Sequence, residues 1–156
     1  YGHSNAQGRA WDSDYRIWAL EHGRSGIQSG LDELNLIVAG KNYGWPAIQG
    51  SATKINMEAP VIHSGAEDTW APAGAVMVGK RLFFGGLRGE ALYEAVLSGD
   101  KVLELKEHLK GKYGRIRIVQ IGPDGMLYIG TSNKDGRGNP TVEDDRIIKI
   151  DPKSLK

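Results

Sequence analysis

The residues best suited to chemistry lie in the segment from Ile17 to Pro46. A short apolar run that begins at Ile17 leads straight into Glu21-His22-Gly23, and a loop rich in serine and glycine follows. The next apolar run opens with two acids, Asp32 and Glu33. Loops at the ends of strands are where β scaffolds present binding and reactive groups. Side chains and backbone carbonyls are therefore predicted to converge here on a ligand or an ion; the alternative is a solvated connection between strands.

Composition limits the classes of protein to which the chain can belong. Its 156 residues are enough for one domain with a core, and 20 basic against 19 acidic side chains give a formal net charge of +1. This balance offers no electrostatic case for binding nucleic acid or an anionic membrane. No apolar run approaches the roughly 20 residues of a membrane-spanning helix. The chain has no cysteine, which excludes disulfides and thiolate metal sites.

Short apolar runs separated by glycine-containing turns predict an almost wholly β protein. The expected strands are residues 7–11, 15–20, 32–38, 73–78, 81–85, 91–97, 102–105, 116–121, 126–130 and 146–150. Residues 43–49 could add a further strand, because an edge or a bulge tolerates Pro46. Residues 103–110 could instead form a short helix, since Leu, Glu and Lys dominate that stretch.

The predicted strands recur as similar sets. An aliphatic and then an aromatic residue follow a turn in each set, at Ile17-Trp18, Leu82-Phe83 and Leu127-Tyr128. A four-stranded unit that recurs at roughly 45 to 65 residues is typical of β-propeller blades. We therefore predict one fragment of a propeller domain over residues 1–156, with approximate blades at 1–50, 70–110 and 112–156. The third set has only three clear strands, and we expect preceding chain to supply its fourth.

Seven motifs carry a resemblance to a known family. In chain order they are GHSNAQG (2–8), EHG (21–23), GLDELNLI (30–37), NYGWP (42–46), LRG (87–89), GRIR (114–117) and GPDGMLYIGT (122–131). The series resembles the soluble aldose sugar dehydrogenases that use pyrroloquinoline quinone (PQQ), the glucose/sorbosone dehydrogenase family of six-bladed propellers. The match covers this chain but only the C-terminal half of a typical member. We therefore expect this chain to be a fragment of a longer protein. Its start at Tyr1, without a methionine, agrees with that expectation.

The resemblance implies an oxidoreductase that oxidises an aldose at C1 to the lactone, with PQQ and calcium as cofactors. The family's catalytic base is a histidine on the half that this chain does not match, so the fragment alone is expected to be inactive. Of the histidines present, His3 and His22 are expected to line the site, His63 to be structural and His108 to be exposed. The implied partners are a sugar, a native or artificial electron acceptor and the remaining blades. The implied location is periplasmic or secreted.

The resemblance also assigns residues to the quinone. Asn5 matches an asparagine that contacts the cofactor, and Arg88, Arg115 and Arg117 match basic positions that pair with its carboxylates. Arg115 and Arg117 are spaced i and i+2, so in a strand both face the same way, as two-point binding of an anion requires. Ordinary surface charge is the alternative reading of these arginines.

Calcium is assigned to oxygen ligands, which this hard ion prefers. Gly23 and Arg24 match the positions whose backbone carbonyls hold the ion in the family. Glu33 is a candidate ligand of a second calcium together with Asp32, although capping of the loop explains the two acids equally well.

Several departures from the family pattern keep a second hypothesis open. Ser4 stands where many members have arginine, Arg24 where proline is usual, and Ala73 where serine is common; the loop at 24–31 is also long. These departures suit a non-catalytic propeller that serves protein or carbohydrate recognition, as in hedgehog-interacting relatives. The retained asparagine, glycine and arginines favour the enzyme.

Overall fold

Strands joined by tight turns pair with their neighbours in the chain and form three antiparallel sheets. The computed structural model describes residues 1–156, apart from the side chain of Ile27. The first sheet contains, in order, β1 (Asn5–Trp11), β2 (Ile17–His22), β3 (Glu33–Ile37) and β4 (Ile62–His63). The second contains β5 (Pro72–Val78), β6 (Arg81–Gly86), β7 (Leu92–Ser98) and β8 (Lys101–His108). The third contains β9 (Ile116–Ile121), β10 (Leu127–Thr131) and β11 (Ile147–Ile150), and short 3-10 helices lie at Gly26–Gln28 and Pro152–Ser154.

The three sheets fan out from their first strands. β1 packs beside β5 and β5 beside β9, while the later strands of each sheet follow outward in chain order. Glycine permits this close approach of the inner strands: a Cβ at Gly74 would lie 2.9 Å from the carbonyl oxygen of Arg117, and one at Gly8 would collide with the carbonyl oxygen of Ala73. This is the arrangement of propeller blades. The predicted fold class, an all-β part of a β-propeller, is confirmed.

Two apolar cores fill the spaces between neighbouring sheets. Successive side chains of a strand point to opposite faces, so Phe84 faces the first sheet and Phe83 the third. The core between the first and second sheets includes Trp18, Leu20, Leu34, Trp70, Phe84 and Tyr93. The core between the second and third includes Phe83, Leu92, Ile116, Val119, Leu127 and Ile129. The aliphatic-aromatic pairs noted in the sequence lie in the second strand of each sheet, and four of their six side chains lie in these cores: Trp18, Leu82, Phe83 and Leu127.

The suggested strand at residues 43–49 is wrong. This segment is a turn, in which the amides of Ala47 and Ile48 donate to the carbonyl of Gly44. The Tyr43 hydroxyl fixes the turn against β3 by donating to the carbonyl of Leu36 at 2.7 Å. The fourth strand of the first sheet is instead β4, which pairs with the start of β3. This sheet therefore extends beyond the approximate blade limit at residue 50.

The helical alternative for residues 103–110 is also wrong. Residues 103–108 lie in β8, which pairs with β7 along its length, and the chain turns at residues 109–110. Cross-strand pairing overrides the helix propensity of Leu, Glu and Lys here. The expectation that His108 is exposed fails for the same reason. At the end of β8 the side chain is only 7% exposed, and its Nε2 lies 2.7 Å from the Glu94 carboxylate. In the described structure no helix is long and apolar enough to span a membrane.

Candidate functional site

A cavity of about 370 Å³ opens at the rim where the inner strands begin and their antiparallel neighbours end. All three sheets contribute to its wall, because β2, β6 and β10 each end there in a polar loop. Its lining residues are His22, Arg24, Ser25, Gly26, Ser29, Asp32, Thr69, Ala71, Leu87, Arg88, Arg115 and Arg137. The polar loops of the sequence therefore converge on one space. Of the two histidines expected to line it, His22 lies on its wall and His3 does not.

Positive charge dominates this cavity. Its wall carries four arginines, Arg24, Arg88, Arg115 and Arg137, against one carboxylate. Five of the chain's nine arginines pair with carboxylates elsewhere in the fold or at its rim. Within the described structure, those without a carboxylate inside 4.0 Å are Arg9, Arg24, Arg88 and Arg137. Three of these four unpaired cations therefore face the same cavity, which is the charge pattern of an anion-binding site.

The one carboxylate of the wall, Asp32, is fully engaged with the chain itself. It is 2% exposed, and its Oδ1 accepts the amide of Gly23 at 2.9 Å. Its Oδ2 accepts the amides of Trp70 and Ala71, at 2.7 and 2.8 Å, and the hydroxyl of Thr69 at 2.7 Å. These bonds tie the loop after β2 to the segment before β5. Asp32 therefore stabilises the loop, as the capping alternative expects.

Arg115 and Arg117 face the same way, and both contact Asp135. The Nη2 atoms of Arg115 and Arg117 lie 2.8 and 3.1 Å from Asp135 Oδ2. Hydrogen bonding from Arg115 is the main reason that the pKa of Asp135 is lowered to about 2. Arg115 is buried and also donates to the carbonyl of Leu87, whereas the Arg117 side chain is 44% exposed and lies beside the cavity, not on its wall. Two guanidiniums share one carboxylate, so a positive charge remains.

The other predicted cofactor residues lie close to this rim but differ in their contacts. Asn5 begins β1 opposite His22, and its Oδ1 accepts the side-chain amide of Gln7 at 2.7 Å. It is exposed and does not belong to the cavity wall. Gly23 is required by the tight loop, because a Cβ there would collide with the carbonyl oxygens of Gly30 and Leu31. The rim therefore brings together Gly23, Arg24, Arg88 and Arg115, with Asn5 and Arg117 at its margin.

Glu33 lies outside the cavity, and its carboxylate is hydrogen-bonded by Asn35 of the same strand and by the turn at Gly50. Its Oε1 accepts the amide of Gly50 at 3.1 Å, and it faces Glu21 across the pairing of β2 with β3. Burial is the main reason that its pKa is raised, and the neighbouring Glu21 carboxylate adds to the effect. The described residues contain no group of three or more His, Cys, Asp or Glu side chains that could hold a metal ion. The described residues therefore offer no cluster of acidic side chains for the suggested second calcium.

The side chains of two cavity residues were not predicted from the sequence to line the site. The side chain of Arg24 reaches the wall, although the sequence assigns only its backbone carbonyl, and Arg137 arrives from the polar loop after β10. A second cavity of about 680 Å³ adjoins the first and shares Arg24, Ser29, Thr69 and Arg88 with it. Its further polar lining includes Gln28, Glu67, Asp68, Glu90 and Lys110. An arginine-rich cavity thus opens beside a wider one of mixed charge.

The fold is a propeller segment with an arginine-lined cavity at the rim of its three sheets. The sequence model of the glucose/sorbosone dehydrogenase family matches residues 1–143, and the chain belongs to that family.

Known relatives agree with this assignment. The chain is 32% identical to aldose sugar dehydrogenase YliI of Escherichia coli K12, over 99% of this chain and 43% of that protein. It is similar to the PQQ-bound form of aldose sugar dehydrogenase from Streptomyces coelicolor, with a TM-score of 0.87 and 39% identity over 96% of this chain and 44% of the other. It is also similar to the apo-form of the soluble aldose sugar dehydrogenase from Escherichia coli, with a TM-score of 0.73 and 32% identity over 84% of this chain and 42% of the other. The chain therefore spans less than half the length of these relatives.

Proposed function

We propose that this chain forms the cofactor-holding part of a PQQ-dependent aldose sugar dehydrogenase. The observation that carries the proposal is the cavity wall, where Arg24, Arg88 and Arg137 have no carboxylate partner in the described structure. PQQ is a flat tricarboxylate, so its rim requires cations and amide donors. The donor set fits this group: Arg88, Arg115 and Arg117 would pair with its carboxylates, and Asn5 would offer an amide from the start of β1.

Calcium at this site would depend on backbone oxygens. The described side chains form no acidic cluster, and Asp32 is occupied by its four hydrogen bonds. The carbonyls of Gly23 and Arg24 and the oxygens of the cofactor are the ligands that we propose, in keeping with the preference of the ion for oxygen. When bound, the ion would supply Lewis-acid polarisation of the reactive carbonyl.

The whole protein would oxidise an aldose at C1 to the lactone. The residues of this chain would bind and orient the cofactor, while a histidine from the remaining blades would remove the hydroxyl proton. The wider adjoining cavity would receive the sugar, because Glu67, Asp68, Glu90 and Lys110 offer acceptors and donors for its hydroxyl groups. The electrons would pass to a native or artificial acceptor, and we propose a periplasmic or secreted location from the family resemblance.

The test is reconstitution of the full-length apoprotein with PQQ and calcium, followed by sugar-dependent reduction of a dye. We expect reduction only when sugar and PQQ are both present, and a loss when a chelator removes the calcium. Residues 1–156 alone, assayed in parallel, should not reduce the dye. A full-length protein that neither binds PQQ nor reduces the dye would favour the non-catalytic recognition propeller and refute the proposal.

A further inference from the structure

Arg24 lies at the boundary between the two cavities and contributes to the walls of both. Its backbone is fixed, because its amide donates to the carbonyl of Gly30 at 2.8 Å and the two residues form an isolated bridge that closes the loop. Its Nη2 donates to the carbonyl of Ala66 at 3.1 Å. The guanidinium therefore extends from the loop of the first sheet to the segment that precedes the second sheet.

This guanidinium has positive charge and hydrogen-bonding capacity that the described residues do not use. No carboxylate lies within 4.0 Å of it in the described structure, and its buried Nε–H has no acceptor there. Native proteins seldom leave a buried donor unpaired unless a ligand, an ion or water completes its surroundings. Arg115 differs, because the same rim supplies it with the carbonyl of Leu87 and the carboxylate of Asp135. Arg24 is thus a cation with no carboxylate partner among the described residues and with one buried donor unused.

A second unpaired cation lies across the same loop. Arg88 donates through Nη1 to the carbonyl of Gly26 at 3.1 Å, so the segment 24–30 is held by Arg88 while it carries Arg24. Both guanidiniums line both cavities. Like charges on one wall repel each other unless an anion binds between them, and the effect is strong where water is partly excluded.

We infer that the side chain of Arg24 binds a carboxylate of the quinone together with Arg88, at the opening between the two cavities. The inference rests on the proposed function and adds a residue to its cofactor site. This role belongs to the guanidinium and is separate from the backbone carbonyl of Arg24, which any substitution at this position retains. Removal of the side chain should therefore weaken quinone binding whether or not calcium is present.

The experiment measures the affinity of the full-length apoprotein for PQQ by equilibrium dialysis, with calcium and again with a chelator. Loss of one charge-assisted contact predicts that Arg24→Ala weakens binding roughly ten- to a hundredfold in both conditions. Arg24→Gln should weaken it as much, because glutamine can still donate to the carbonyl of Ala66 but carries no charge. Arg24→Lys should recover part of the affinity, since lysine retains the charge without the planar fork. The matched control is Arg9→Ala, which removes an unpaired, exposed arginine outside both cavities and should bind PQQ as the wild type does.

The outcomes separate this inference from the proposed function. Wild-type protein that fails to bind PQQ refutes both. Wild-type protein that binds PQQ, with Arg24→Ala and Arg24→Gln at the same affinity, overturns the inference and leaves the function standing. Weak binding by Arg24→Ala with full affinity in Arg24→Gln also overturns it, because the side chain would then only fix the loop to Ala66. If the alanine variant does not fold, the glutamine and lysine variants decide between these outcomes.

Discussion

Replacement of Arg115 and Arg117 by alanine tests whether the cavity holds a carboxylate ligand. The two side chains differ in burial: Arg115 is 8% exposed and the Arg117 side chain 44%. Both donate to Asp135, but only Arg115 also donates to a carbonyl inside the fold, that of Leu87. We therefore expect unequal effects from two substitutions that look equivalent in the sequence.

The magnitude follows from this difference in burial. Truncation of one partner of a buried charge pair costs about 2–5 kcal/mol, which corresponds to PQQ binding weakened roughly thirtyfold or more for Arg115→Ala. An exposed pair contributes about 1 kcal/mol or less, so Arg117→Ala should weaken binding by roughly fivefold at most. Lysine at position 115 should restore only part of the loss, because it lacks the two-pronged geometry.

The assay is a PQQ titration of the full-length apoprotein with calcium present, followed by sugar-dependent dye reduction. Activity of each variant should largely return at high PQQ concentration, because these arginines hold the cofactor and do not move the proton. Arg9→Ala again serves as the control for loss of one positive charge. A double variant, Arg115→Ala with Arg117→Ala, that reconstitutes at the wild-type PQQ concentration would refute their role in binding the cofactor.

Three further predictions concern the fold that positions the site. Glu94, 2% exposed, pairs with Arg81 and His108, so Glu94→Ala should lower the free energy of unfolding by about 3–5 kcal/mol in urea titrations; an unchanged midpoint would show that the buried pairs contribute nothing net. The pKa of Asp135 is lowered to about 2, so its ionised form contributes stability above the ordinary value of 3.8, which is lost as the pH falls toward 2. Thermal melts of wild type and Asp135→Asn should therefore differ at pH 5 and converge near pH 2; a constant difference would contradict the coupling. Asp32→Ala removes the acceptor of four donors and should make the loop after β2 sensitive to limited proteolysis, whereas equal cleavage rates would mean that the loop is held by other contacts.

The repeat of the blades is the part of the fold that the sequence predicts best. Alternation of side chains and glycine turns are local features, so β2, β6 and β10 begin within two residues of the predicted positions. The pairs Ile17-Trp18, Leu82-Phe83 and Leu127-Tyr128 all fall in these second strands, as their recurrence indicates. Arg115 and Arg117 face the same way for an equally local reason, the period of two in an extended chain.

Contacts between segments that are distant in the sequence could not be predicted from the sequence alone. The sequence suggested a fourth strand at residues 43–49, whereas Ile62–His63 completes the first sheet, because the outcome depends on which segment pairs with β3. The burial of His108 similarly depends on the pairing of β8 with β7, which brings it to Glu94.

The cavity shows the same division between local pattern and tertiary contact. The sequence alone determined which loops are polar, where the arginines occur and which family the motifs resemble. Only the tertiary structure decided that the side chains of Arg24 and Arg137 lie on one wall with Arg88 and Arg115. It also decided that the Asp32 carboxylate accepts hydrogen bonds from the backbone of the surrounding loops. The physical reason is that strand pattern is encoded by neighbours in the chain, whereas a shared cavity depends on the close approach of inner strands that glycine allows.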